Sequence, residues 1–450
     1  MTPSDPSQPN SEPAAQHNSG SLKKRAIEGS ALTLGGYGAQ QIVRLGGNYV
    51  LTLLLAPATF GLMALVNMVL ELLQKFSDIG INQSIIRDKR GDDQDFLNTA
   101  WTVSIVRGVL IWLAACLLTW PVAEFYNRKE LLLLIPVAAF TAVIAGFRST
   151  KVATTNRHLM LKRLTALELG SRILGTVAMI VWAGYSPTAW ALVAGGIITG
   201  TAVLAGSFLF LPGPGNKPHW DRDAAKELIR FGKWIILSTA ITFFLAQGDK
   251  MTLGKLMDEN RFGIYAIAFM LARAVPEMIL KLAPRVLMPV YARLIDQGPK
   301  RLRSQTQKMR LVLMAISLPI LWVLVLFGRY IIKIYPEEYH DAGWMLEILA
   351  AGNIGLVIGV TAGGITLARG DSFRFMVLQI GRAALMIAGM WIGYHLGDER
   401  GLMIGMGVSY WVNYPLLVWA IRPHGTWLPK LDSLAFGASA VVIALRIWIG

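Results

Sequence analysis

Residues 60–87 read FGLMALVNMVLELLQKFSDIGINQSIIR, a run that is mostly apolar but carries regularly spaced charges. About 20 apolar residues in a helix are enough to cross the hydrocarbon core of a bilayer. Glu71, Lys75 and Asp78 follow one another at spacings of four and three residues, so they share one face of a helix. The pattern predicts a membrane-spanning helix whose charged face is turned away from lipid.

Similar apolar runs recur along the rest of the 450-residue chain. The chain is 54% hydrophobic and only 16% charged, whereas soluble domains carry about 25% charged residues. This composition excludes a soluble enzyme, a disordered protein and a fibrous protein, and predicts an all-α polytopic membrane protein. The expected spans are 30–54, 58–84, 97–120, 131–150, 166–184, 188–211, 230–256, 262–288, 310–334, 342–368, 373–396 and 400–421, with 433–449 as a candidate thirteenth.

Lysine and arginine are concentrated in alternate loops, which lie near residues 23–25, 87–90, 151–163, 217–230, 300–310, 369–374 and 422–430. The positive-inside rule makes these loops cytoplasmic and places the N-terminus inside the cell. Attraction to anionic lipid then accounts for most of the net charge of +15, and no nucleic-acid partner is expected. The first apolar run is too long for a cleavable signal peptide and is expected to be a retained anchor.

The two halves of the chain resemble each other at a displacement of 202 residues, which relates Phe60-Gly61 to Phe262-Gly263. Both halves begin on the cytoplasmic side, so the repeats are parallel, with a pseudo-two-fold axis along the membrane normal. Transporters of this plan bind substrate near the midplane, between the halves. The expected organisation is a disordered cytoplasmic tail (1–29), an N-lobe of spans 1–6 (30–211), a cytoplasmic linker (212–229), a C-lobe of spans 7–12 (230–421), and a loop with a C-terminal helix (422–450).

Charged side chains occur within several expected spans, where each costs about 2.5–3.5 kcal/mol and therefore faces a cavity or a partner. Besides the charged face of span 2, they include Arg44 in span 1, Asp249 and Lys250 in span 7, and Arg273, Glu277 and Lys281 in span 8.

The displacement relates Glu71 to Arg273 and Lys75 to Glu277, which are pairs of opposite charge. We therefore expect ion pairs between spans 2 and 8 across a central cavity. The alternative is pairing within each helix, Glu71 with Lys75 and Glu277 with Lys281.

Other chemistry is sparse in this sequence. Residues 92–95 read DDQD, which contains a DxD of the kind that holds a divalent metal in soluble glycosyltransferases, but basic neighbours and a short loop favour solvated acidic residues. The six histidines show no ligand spacing, Cys116 is the only cysteine, and no phosphate-binding GxxxxGK[ST] motif is present. No metal, cofactor or catalytic residue is predicted.

Several motifs point to one family. The FG pair at residue 60 opens span 2, and Asp78-Ile79-Gly80-Ile81 forms a D-[IL]-G-[IL] element before an arginine. Residues 248–255, GDKMTLGK, resemble the span 7 element, and Phe262-Gly263 resembles the start of span 8. Over about 30–421 the chain is similar to bacterial polysaccharide-repeat-unit (Wzx-type) flippases of the multidrug/oligosaccharidyl-lipid/polysaccharide exporter superfamily.

The resemblance implies a MATE-like fold, with two six-helix lobes around a cleft that spans 1, 2, 7 and 8 line. It implies that the protein is no enzyme but a flippase, which moves a polyprenyl-diphosphate-linked oligosaccharide of the exopolysaccharide or O-antigen type across the bacterial inner membrane by alternating access. The expected partners are this lipid-linked oligosaccharide and membrane lipid, alongside a polysaccharide polymerase and export machinery.

A diphosphate is anionic, and arginine binds phosphate through two parallel hydrogen bonds. We therefore expect Arg44 and Arg273 to bind the cargo first, followed by Lys75, Lys250 and Lys281. The candidates for gating, or for carrying a coupling proton or Na⁺, are Glu71, Asp78, Asp249 and Glu277. For Asp78, Asp249 and Glu277 the alternative role is structural ion pairing.

Three other functions are compatible with parts of this pattern. A drug or small-molecule cation antiporter of the same superfamily would need a cleft dominated by carboxylates, whereas the basic groups are in excess here. A lipid II flippase would differ only in its cargo. A membrane polymerase or ligase would present a large outer loop, and the expected outer loops are short.

Overall fold

The computed structural model describes residues 35–77, 80–88, 90–158, 160–221, 243–294 and 297–449, and within these ranges the chain forms helices and loops without a β-strand. The helices are α1 (described over 35–52), α2 (Pro57–Phe76), α3 (Ile81–Arg87), α4 (Gln94–Tyr126), α5 (Leu131–Gly146), α6 (Lys151–Arg157), α7 (Leu161–Tyr185), α8 (Ala189–Leu209), α9 (described over 243–256), α10 (Glu259–Leu294), α11 (Pro299–Ile332), α12 (Ala342–Ala368), α13 (Ser372–Val412), α14 (Tyr414–Ile421) and α15 (Pro429–Ile449).

Nine of the described helices are long and apolar enough to cross a membrane, or ten if α5 and α6, which meet at an angle of 59°, form one bent span. The protein is therefore a multi-pass membrane protein. The expected thirteenth span is a helix of 21 residues, α15.

The second expected span ends earlier than hydropathy predicts. Helix α2 stops at Phe76, and a separate short helix, α3, begins after Gly80, whose φ of 69° is left-handed. The guanidinium of Arg107 donates to the carbonyl oxygens of Gln74 and Ser77 at 2.9 and 2.7 Å. A cation thus binds carbonyl oxygens at the C-terminal end of α2, where the helix dipole is negative.

Spans 11 and 12 are joined in α13, but the helix is broken at Gly397 and Asp398, where the backbone leaves helical geometry. The two parts then fold back on each other. A Cβ at Gly393 would lie 2.1 Å from the carbonyl oxygen of Gly401, so the two backbones approach as closely as only glycine allows.

Helices α2 and α10 are in close contact, and the two FG pairs of the sequence repeat meet there. A Cβ at Gly263 would lie 1.7 Å from the carbonyl oxygen of Pro57, and a Cβ at Gly61 would lie 2.7 Å from that of Glu259. Both positions therefore require glycine. The first turns of α2 and α10 form a tight seal, which we call the glycine seal.

Polar contacts reinforce the glycine seal at the same end of the molecule. The hydroxyl of Tyr339 donates to the carbonyl oxygen of Leu55 at 2.7 Å. Arg128, which is buried, donates to the carbonyl oxygen of Met257 at 3.1 Å and pairs with Glu259 at 3.5 Å. These contacts join the ends of α1, α4 and α11 to the starts of α2 and α10, so the helices are closed together here.

Helix α15 packs on α11 and α12 and is held by a buried ion pair. Arg310 of α11 and Asp432 of α15 are both fully buried, with 2.6 Å between their charged atoms. The hydroxyl of Tyr414 donates to the second carboxylate oxygen of Asp432 at 2.8 Å. Because an unpaired charge at this depth would be costly, the pair fixes the position of α15.

Candidate functional site

A central cavity lies between the helices of the first half of the chain and those of the second. It has two adjoining compartments of about 410 and 540 Å³, and both are lined by Lys250, Phe269, Arg273 and Glu277. The first compartment extends toward α1, α7 and α8, and the second toward α12 and α13. A third, polar cavity of about 690 Å³ adjoins them among α2, α4, α5 and α8, where it shares Asn67 and Arg172 with the first compartment.

The structure brings together all five cations that the sequence predicts for the site, since the central cavity is lined by Arg44, Lys75, Lys250, Arg273 and Lys281. Two of the four predicted carboxylates, Glu71 and Glu277, line it as well. Asp249 lies behind the cavity wall, and Asp78 lies outside the described residues.

The expected ion pairs between spans 2 and 8 are wrong for this conformation. Glu71 pairs with Lys75 one turn along α2, at 3.1 Å, which is the alternative expected for that helix. Glu277 pairs with Arg44 of α1, at 3.3 Å, rather than with Lys75. A repeat shows which positions correspond, but it does not show which helices lie side by side, so the contact between α1 and α10 could not be anticipated from it.

Arg273 and Lys250 have a different environment from the paired residues. Both lie over the ring of Phe269, with the guanidinium carbon at 5.7 Å and the ammonium nitrogen at 4.4 Å from its centroid. Neither forms an ion pair with any residue that the structure describes. The aromatic ring stabilises their charge without occupying their N–H donors, which stay available for an anionic ligand.

Asp249 is almost completely buried and accepts a hydrogen bond from the hydroxyl of Tyr265. It adjoins Lys250 in the chain, and its carboxylate is close enough to interact electrostatically with the Lys250 ammonium. Unlike Glu71 and Glu277, Asp249 forms no ion pair with a cation among the described residues.

The three cavities have a large excess of positive charge. Among the described residues their lining contains nine cations and two carboxylates. The cations beyond the five predicted are Arg107, Arg148, Arg172 and Arg382. Within a membrane, where the local dielectric is low, this excess favours an anionic ligand strongly and disfavours a cationic one.

Arg172 and Arg382 were not predicted as site residues, although both lie inside apolar spans. Arg172 shares a compartment with Arg44 and is close enough to interact with it electrostatically. The Nε and Nη2 atoms of Arg44 are buried without a hydrogen-bond partner. The signal that identified Arg44, an ionisable residue within an apolar run, marks both in the sequence, although neither was selected as a ligand.

The acidic loop at residues 92–95 has a structural role. The Asp93 carboxylate accepts a hydrogen bond from the backbone N–H of Phe96 at 2.9 Å and caps α4. Asp92 pairs with Arg157 at 3.0 Å and contacts His158 at 2.8 Å. These contacts tie the loop to α6.

Comparison with known proteins identifies a family and a fold. The family model described as "Polysaccharide biosynthesis protein" matches residues 50–342. The lipopolysaccharide biosynthesis protein WzxC of Escherichia coli (strain K12) is 24% identical over 392 residues, 83% of this chain and 78% of that protein. The amylovoran biosynthesis protein AmsL of Erwinia amylovora is 21% identical over 301 residues, 66% of this chain and 77% of that protein.

Two solved structures confirm the expected MATE-like fold. An inward-facing multidrug resistance MATE family transporter of the MOP superfamily matches with a TM-score of 0.67 at 16% identity, over 86% of this chain and 94% of that one. The lipid II flippase MurJ, in an inward closed conformation, matches with a TM-score of 0.64 at 11% identity, over 94% of this chain and 98% of that one.

Proposed function

The chain belongs to the polysaccharide biosynthesis protein family, and we propose that it moves a polyprenyl-diphosphate-linked oligosaccharide between the leaflets of a bacterial inner membrane. The observation that carries this proposal is the excess of cations over carboxylates in the central cavity. An oligosaccharide cannot cross hydrocarbon unaided, and the diphosphate beside it is anionic. A wet, cationic cavity between helices supplies what both parts of such a head group need.

Arg273 and Lys250 are the groups that would bind the diphosphate first. They are not neutralised by an ion pair within the described structure, and their N–H donors are free to reach phosphate oxygens. Arg44 would contribute the side of its guanidinium that Glu277 leaves unpaired. Arginine binds phosphate in a bidentate manner, so Arg273 is the stronger ligand of the first pair.

The lipid tail would stay in the bilayer and pass through the seam between α1 and α10. Among the described residues, the contacts across this seam include the Arg44–Glu277 ion pair and the ammonium of Lys281, which lies over the ring of Tyr37 at 4.3 Å. A diphosphate that bound Arg44 would compete with Glu277. Cargo binding would then open the seam that the tail must pass.

Alternating access would proceed by separation of the glycine seal. The distribution of basic loops favours a cytoplasmic N-terminus, which places the glycine seal at the outer side of the membrane. The described conformation is then closed to the outside. Asp249 is our choice for the carboxylate that carries a coupling proton, since it is buried and forms no ion pair with any cation that the structure describes. The role of Asp78 in gating or ion coupling stays a prediction from the sequence.

On this proposal the protein transports its substrate without transforming it, and a polysaccharide polymerase and export machinery act on the product. A cation antiporter is disfavoured, because the cavity would repel its substrate. A lipid II flippase would use the same cationic cavity for the same diphosphate, so only the sugar of the cargo distinguishes it.

The test is leaflet exchange in reconstituted vesicles that contain a fluorescent polyprenyl-diphosphate-linked oligosaccharide or lipid II. Arg273→Ala removes a charge-assisted contact worth about 1.5–3 kcal/mol, so we expect exchange of the oligosaccharide lipid to slow about 10-fold to 150-fold. Arg273→Lys keeps the charge but loses the bidentate geometry, so its exchange rate should lie between those of the wild type and Arg273→Ala.

Lys308→Ala is the matched control, since it removes one exposed cation from α11 outside the cavity. An Arg273→Ala variant that is folded and exchanges lipid at the rate of the wild type would contradict the site. Exchange of lipid II in preference to the oligosaccharide lipid would favour the alternative cargo.

A further inference from the structure

A groove separate from the central cavity lies between the second part of α13 and the C-terminal helix. It has a volume of about 910 Å³, its floor is formed by α12 and α11, and its walls by α13 and α15. Most of its lining is apolar, and its mouth is bordered by exposed apolar residues, which are Ile404, Val408 and Ile447. In a membrane these residues face lipid, so the groove opens sideways into the bilayer.

The groove does not join the central cavity in this conformation, because α12 and α13 are in tight contact between them. A Cβ at Gly352 would lie 2.6 Å from the Cα of Gly407, and a Cβ at Gly355 would lie 2.8 Å from the ring of Trp411. A lipid that entered the groove from the bilayer would therefore stay apart from the cargo path.

One end of the groove is cationic. Arg329, Arg400 and Arg446 line it together with a single carboxylate, Glu347, for a net charge of two positive among its described residues. Glu347 pairs with Arg329 at 3.4 Å and with Arg446 at 3.0 Å. Arg400 is exposed and lies over the ring of Trp344 at 5.6 Å, without a carboxylate partner in the described structure.

We propose that this groove binds a glycerophospholipid with an anionic head group, whose phosphate contacts Arg400 and Arg446 and whose acyl chain lies along α13 and α15. The apolar part gives little selectivity, since the chain leaves hydrocarbon for an equally apolar surface. Selectivity must come from the arginines, because guanidinium groups bind phosphate oxygens through charge-assisted hydrogen bonds and a site with net positive charge favours a head group with net negative charge. The bound lipid would bridge α15 to α13 along the groove, in addition to the contact between the rings of Trp411 and Phe436, whose centroids lie 5.1 Å apart.

The cationic end lies at the same end of the molecule as the glycine seal. Arg329 is near the end of α11, and Tyr339, ten residues later, contacts Phe60 of α2 with ring centroids 6.1 Å apart. The expected lipid therefore comes from the leaflet at that end, which the basic loops identify as the outer one. This inference is independent of the proposed cargo.

The experiment is native mass spectrometry of the full chain released from nanodiscs that contain equal amounts of phosphatidylglycerol and phosphatidylethanolamine. We expect the wild type to retain phosphatidylglycerol selectively. Arg400→Ala should lower its retention about fivefold, since a cation at the membrane surface contributes about that factor to anionic-lipid binding. Arg400 forms no ion pair in the described structure, so its removal leaves Glu347 paired.

A second variant, Ala444→Trp, fills the apolar part of the groove and leaves its four charged groups in place. It should abolish retention of the lipid for a steric reason. Lys129→Ala is the matched control, because Lys129 is an exposed cation at the same end but outside the groove, and it should behave as the wild type.

Equal retention of the two lipids by the wild type would overturn the proposal. So would unchanged phosphatidylglycerol retention in both Arg400→Ala and Ala444→Trp. Displacement of phosphatidylglycerol by an equimolar polyprenyl phosphate would assign the groove to the carrier lipid instead and would also overturn it.

Discussion

Replacing Gly263 by alanine should open the glycine seal. The added Cβ would lie 1.7 Å from the carbonyl oxygen of Pro57 and 2.3 Å from its carbonyl carbon, and both are backbone atoms that no rotamer change can move. Since Cβ contacts shorter than 3.0 Å essentially do not occur, α2 and α10 must separate by at least the difference between 3.0 and 1.7 Å, about 1.3 Å.

Overpacking of this kind costs about 1–3 kcal/mol, and only conformations with the seal closed bear the cost. The equilibrium between closed and open conformations should therefore shift toward the open one by a factor of about 5–150. The protein should become accessible from the end that is closed in the structure.

The assay uses the reactivity of one cysteine inside the cavity. Cys116 is the only native cysteine, so Cys116→Ser provides a background into which Ala64→Cys, at the lining of the first compartment, is introduced. A membrane-impermeant maleimide is added from the outside of right-side-out vesicles. In the Gly263→Ala variant the labelling rate should rise about 5-fold to 150-fold over the background.

Gly46→Ala is the matched control, because a Cβ there would meet no described atom within 4 Å, while the gain in helix propensity is the same. It should label at the background rate. A folded Gly263→Ala protein that labels no faster than Gly46→Ala would refute the view that the seal is the outer gate.

Three further changes test other parts of the structure. Arg44→Ala leaves the charge of Glu277 unpaired. The double variant Arg44→Ala/Glu277→Gln should therefore exchange lipid faster than Arg44→Ala alone. An equal or lower rate would count against this ion pair as a contact across the seam. Asp432→Asn should lower the free energy of unfolding by about 3–5 kcal/mol, because it leaves the buried Arg310 charge uncompensated. A loss below about 1 kcal/mol in a detergent unfolding titration would contradict a stabilising role for this ion pair. Asp249→Asn keeps a hydrogen-bond acceptor for Tyr265 but has no carboxyl group to protonate. It should therefore abolish the dependence of lipid exchange on a pH gradient. An unchanged dependence would exclude Asp249 as the proton carrier.

Much of the fold follows from hydropathy, because a bilayer requires long apolar helices. The short final run proved to be a helix, α15, and the boundary between spans 11 and 12 fell at Gly397 as expected. The early end of α2 was not anticipated, since a window of apolar residues does not resolve a backbone reversal at a single position such as Gly80. The predicted pseudo-two-fold axis and lobe boundaries stay predictions.

The site was predictable as a set of charges but not as a set of contacts. A charge inside an apolar run must face a cavity or a partner, so Arg273 and Lys250 could be selected from sequence alone. The partner of Glu277 could not, because it depends on how α1 crosses α10. The repeat related Gly61 to Gly263, but only the packing of the helices shows that these two glycines lie at one contact.

The most direct test of the cationic cavity as the cargo site is a cryo-electron microscopy structure of the protein with a polyprenyl-diphosphate-linked oligosaccharide bound. We expect the diphosphate within hydrogen-bond distance, about 2.7–3.2 Å, of Arg273 and Lys250, with the tail leaving between α1 and α10. Diphosphate density at the α13–α15 groove, with the central cavity occupied by water alone, would contradict the account.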